Sequence, residues 1–181
     1  MKLSNEQRLL AAMLASIQRK LSIGEEHDEV DPDFVTEALY HQQDWALTER
    51  YPGLFQPEPV PPHIAAIRMH VEMWAALEAD FQSLAPAEQG RVVAVAGQSG
   101  RFPSFPGYDG RDEQQYLIAI RYLVVHLHHF PQLAELPDFN AGRGMLPCYE
   151  AMLQRYRDER QRAGANPLSA DQLLRILEAA R

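Results

Sequence analysis

"RDEQQYLIAIRYLVVHLHHF", residues 111–130, is the stretch on which the fold turns. Tyr116, Ile120, Leu123, Leu127 and Phe130 recur at the three- and four-residue steps of a helix, not at the alternation of a strand. Leu117, Ile118, Val124 and Val125 fill much of the remaining circumference. The spacing therefore predicts a helix over 111–129 that is apolar nearly all round and central to its fold. An arginine in the middle of such a helix, Arg121, must be at least partly buried, with a carboxylate such as Asp109 or Glu113 meeting its charge.

The same helix ends in three histidines, His126, His128 and His129. His126 and His129 stand three apart and share a face, while His128 points elsewhere. A catalytic zinc would need a third ligand and groups that orient the first three, and no His-Glu-x-x-His spacing is present. His70-Val71-Glu72 with Pro147-Cys148 comes nearest to the zinc deaminase pattern, but Ala151 stands where the second cysteine would be. The favoured reading is three core or interface histidines satisfied by hydrogen bonds, with no metal and no other cofactor.

Outward from this helix the punctuation is helical too. Ser4 and Gln7 have the capping-box spacing, and Leu9, Leu10, Met13, Leu14 and Ile17 carry a first helix to Leu21, with Gly24 as its stop. Asp31-Pro32 opens a second helix. "YPGLFQPEPVPP" (51–62) holds five prolines in twelve residues and reads as an extended linker. It is the place where a single 1–181 domain would divide into two sub-bundles. A long helix follows over about 62–84, then a shorter one from Pro86 to Gly97, a loop rich in Gly, Pro and Ser, a helix over 144–163, and a last one over about 169–180. Ser169 with Gln172 repeats the capping box. The fold class is all-α, a multihelical bundle of about seven helices.

Composition limits the function. Of 181 residues, 46% are hydrophobic and 23% charged, the balance of a globular protein. A net charge of −8 opposes nucleic acid and anionic membrane, and "RYRDERQR" (155–162) interleaves its arginines with Asp158 and Glu159 as a solvated, salt-bridged face would. No run approaches the roughly 18 apolar residues of a membrane span. Cys148 is the only cysteine, which excludes an internal disulfide and a cysteine zinc cage and reads as a small core residue. The expected location is cytoplasmic.

"LSNEQRLL" at the start, "GYDGRDEQQYLIAIRYLV" in the middle, "FNAGRGMLPCYEAMLQRY" beyond it and "LSADQLLRILEA" at the end resemble the bacterial YfbU family, in the family's order. The residues that match its pattern are Gly107, Tyr108, Asp109, Glu113, Tyr116, Arg121, Phe139, Asn140, Met145, Tyr149 and Tyr156. The proline-rich linker and the loop at 98–106 depart from it. Ala141 and Gly142 stand where the family often carries a histidine, so no role of that histidine transfers. The resemblance implies an all-helical, self-associating protein and no established reaction.

Two function classes remain. The first is a non-enzymatic helical module that binds protein, its own copy included, with no membrane or nucleic acid as partner. Its interface is expected on the long helix, at Met69, Met73, Trp74 and Leu77, because Met and aromatic residues are enriched in interface cores. The alternative is a hydrolase-type enzyme with a polar pocket around Tyr108, Asp109, Glu113, Arg121, His126 and Asn140, since carboxylate, arginine and histidine are the groups of general acid–base chemistry. The sequence has no phosphate-binding loop, nucleotide glycine fingerprint or nucleophile elbow, and no residue is assigned a catalytic role.

Overall fold

A computed structural model describes residues 3–21, 30–56, 59–96, 100–136 and 138–179. Among these, eight α-helices follow one another: α1 Asn5–Leu21, α2 Pro32–Tyr40, α3 Asp44–Arg50, α4 Pro62–Ser83, α5 Pro86–Ala96, α6 Gln114–Arg121, α7 Leu146–Ala163 and α8 Ala170–Glu178. The fold is all-α. The stops expected at Gly24 and Gly97 lie outside the described residues, as does part of the proline-rich linker. No helix among the described residues is long and apolar enough to cross a membrane.

The chain forms two compact units. One comprises Met1–Pro62 and Arg121–Ala134, the other His63–Ile120 and Glu135–Arg181. In the first unit α1 packs on α2, and α2 on α3. The Asp31 carboxylate caps α2 by accepting from the backbone N–H groups of Asp33 and Phe34, with Pro32 at the first position. The helix opened there stops after Tyr40, because Gln42 takes the left-handed conformation at φ 56°. It restarts as α3, which accounts for the helix beyond the seven expected. Asp44 in its first turn receives Arg8 Nη2 of α1 on both oxygens, at 2.7 and 2.6 Å, a charge-assisted pair that ties α1 to α3.

In the second unit α8 packs against α5 and α7. The Ser169–Gln172 capping box opens α8. Glu159 of α7, with no exposed side-chain surface, accepts from Arg175 of α8 at 2.9 and 3.1 Å, from Arg162 at 2.9 Å and from Gln172 at 3.2 Å. The Arg175 hydrogen bonds hold its carboxyl down at about 2. Arg160 reaches the buried Asp80 of α4 at 2.6 Å. Arg160 and Arg162 of the arginine-rich stretch, with Arg175 of α8, thus meet carboxylates inside their own unit.

The central helix is shorter than its periodicity predicts. α6 ends at Arg121 and passes into a π-helical turn, Tyr122–His126, closed by the Leu127 N–H donating to the Tyr122 carbonyl. Residues beyond it bend away, with His128 and Phe130 both at positive φ. Nor is it apolar all round in its setting. Arg121 and Val125 both lie at exposed positions of it. A step of four keeps those two side chains near one side of the helix.

Candidate functional site

Four residues of the expected polar pocket lie in the second unit and close a junction between two loops. Gly107 adopts φ +86°, and a Cβ there would collide with the backbone of Phe139, so only glycine lets the two loops meet. Tyr108 N–H donates to the Phe139 carbonyl at 2.8 Å, and Ala141 N–H donates to the Tyr108 carbonyl at 3.0 Å. Asp109 turns its carboxylate onto the Arg111 amide at 3.0 Å, closing a tight turn. Asn140, exposed, accepts from the amides of Gly110 and Gly142.

Glu113 is the strongest member. Buried to 4% exposure, it accepts from the amides of Asp109 at 2.9 Å, Met145 at 2.6 Å and Leu146 at 2.7 Å. Met145 and Leu146 begin α7, whose N-cap offers no side-chain acceptor of its own. Glu113 therefore caps a helix 32 residues away, where its negative charge also suits the positive helix end. Three amides occupy its two oxygens, which leaves little of that carboxylate to act on a substrate.

Beneath this junction, Tyr108 and Tyr149 are fully buried around His70 of α4. The Tyr108 hydroxyl lies 2.9 Å from His70 Nδ1, and the Tyr149 hydroxyl donates to the Gly107 carbonyl at 2.7 Å. Burial lowers the His70 imidazole to about 4 and raises both phenols. His70 is thus a neutral core group.

Arg121 and His126, the remaining pocket residues, belong to the first unit. His126 lies against the Tyr122 and Phe34 rings, with Nε2 3.4 Å from the Glu37 carboxylate, and its carbonyl accepts from Arg50 at 2.8 Å. His129 stands 3.5 Å from Glu49. These contacts fasten residues 121–134 onto α2 and α3. Among the described residues no three His, Cys, Asp or Glu side chains gather as a metal ion would require.

The surface expected on α4 is largely interior. Met73, Trp74 and Leu77 are 2%, 6% and 0% exposed within the chain, and only Met69 reaches solvent. The cause is plain: α4 also buries Ile64, Ile67, Val71 and Phe81, so its apolar residues surround the helix instead of forming a surplus face. Trp74 also borders a cleft of about 450 Å³ with Pro103, Pro106, Asn140, Met145 and Leu177.

The exposed apolar surface lies instead on α1. Leu9, Leu10, Met13, Leu14, Ile17 and Leu21 are 51–65% exposed, whereas Ala15 is buried and Ala11 and Ala12 are half-buried on the side toward α2. The helix is inverted: small residues inward, large ones outward. Its leucine, methionine and isoleucine spacing marks the helix in the sequence but not which way it faces. The signal for that was the second stripe, Ala11, Ala12 and Ala15, a narrow apolar face opposite the broad one.

These features define a class: an all-helical protein of two helical units, with an outward apolar helix. A family model described as the YfbU domain matches residues 1–179, and the chain belongs to the YfbU family. No curated protein matches it.

Proposed function

We propose that the chain is a non-enzymatic helical module that binds protein, its own copy included, through the outward face of α1. One observation carries this reading: six large apolar side chains, each at least half exposed, lie along one helix. They present on the order of 600 Å² of contiguous apolar surface, the upper end of what monomeric proteins leave uncovered. The face stands ready-made, since the Arg8–Asp44 pair and Ala15 hold the other side of α1 to its unit. The setting is taken to be the cytoplasm, in keeping with a single unpaired cysteine.

Light scattering on the eluting wild-type chain tests the reading over a range of concentrations. A mass above one chain that rises with concentration is expected. A strict monomer on the order of 100 µM, far above the Kd of a standard interface, would end it.

A further inference from the structure

We propose that the occupant of the α1 face is the α1 of a second copy, lying antiparallel about a two-fold axis near Met13 and Leu14. The inference rests on the reading above and adds partner and orientation. Area is the first argument. The exposed stripe approaches the roughly 800 Å² per partner of a standard interface, so a copy of itself covers it with little help from other elements. A two-fold contact presents one patch to its duplicate, and a stripe centred on Met13 and Leu14 is nearly symmetric end to end.

Charge fixes the direction. Glu6 lies in the first turn of α1, and Lys20 in the last; both are exposed. Each stands seven residues from Met13, close to two turns, so the two lie in line with Met13 at opposite ends of the stripe. With the axis at Met13, midway between them, Glu6 of one copy falls beside Lys20 of the other, twice per dimer. A parallel pair would instead set Glu6 against Glu6 and Lys20 against Lys20. The antiparallel pair also aligns the helix dipoles favourably. Glu6 is held toward the ionised form by the Ser4 hydroxyl, which donates to it at 2.7 Å, so the negative member is in place at neutral pH.

Disulfide trapping in the full chain tests this, in a Cys148→Ser background. Glu6→Cys mixed with Lys20→Cys should give a cross-linked heterodimer. Glu6→Cys alone should not cross-link, because antiparallel copies hold the two positions about 20 Å apart. Charge reversal provides a second measurement: Glu6→Lys or Lys20→Glu should each weaken the dimer roughly tenfold, and the double variant should recover most of that. Cross-linking by Glu6→Cys alone, or a dimer indifferent to both reversals, overturns the antiparallel pair and leaves α1 as an interaction face. A wild-type chain that stays monomeric overturns both.

Discussion

Helices α1 and α4 carry the same kinds of large apolar side chain and put them to opposite uses. On α4, Ile64, Ile67, Val71, Met73, Trp74, Leu77 and Phe81 are all buried in their unit. On α1 only Ala15 is buried, and every leucine of the helix is outside. The abundance of large residues therefore does not decide which helix is interior. The approach distance does: Ala11, Ala12 and Ala15 let α2 come close on one side of α1, and the large side chains are left on the other. A helix with two apolar faces has two contacts to make, and the chain supplies one.

The comparison can be broken most forcefully on α4. Leu77→Ala should cost about 4 kcal/mol in urea unfolding, through lost burial and the cavity left behind, without a specific effect on association. A cost under about 1 kcal/mol would place Leu77 at a surface, as on α1. Next in size is acid sensitivity, which α4 owns through His70. Its folded value, about 4, lies below the ordinary 6.5, so the unfolded chain binds the proton more readily. Stability from this group is full above 6.5 and is lost as pH falls toward 4. The loss is on the order of 2 kcal/mol after allowing for partial solvent screening, and His70→Phe should flatten that part of the pH profile. Glu113→Gln keeps an acceptor at α7 but removes its charge, and should lower stability by about 1 kcal/mol. At the small end, Leu14→Ser on α1 should change the unfolding free energy of the isolated chain by no more than about 0.5 kcal/mol, since nothing in its unit covers it.

Much of the fold was legible because helix signals are local. Ser4, Asp31 and Ser169 cap where their spacing to Gln7, Phe34 and Gln172 says they should. The break at Gln42 and the π turn after Arg121 were not legible. A glutamine at positive φ and a shifted hydrogen bond are choices made by packing, not by the residues' own preferences. The exposure of Arg121 follows from the same cause, since periodicity finds the apolar side of a helix but not how much of its circumference neighbours cover. Of the expected pocket residues, Tyr108, Asp109, Glu113 and Asn140 meet at the loop junction. Glu113's task, capping a helix 32 residues on, is a long-range contact that no local spacing encodes. The outward turn of α1 was hidden for the reverse reason: its large residues look like any core stripe until the alanines opposite are given weight.

Sedimentation velocity on Leu14→Arg and Leu77→Arg, each beside a circular dichroism melt, tests the contrast of the two helices most directly. The account predicts that Leu14→Arg gives a folded monomer where the wild type is a dimer, while Leu77→Arg fails to fold. A Leu14→Arg chain that unfolds, or one that keeps the wild-type dimer, would contradict it.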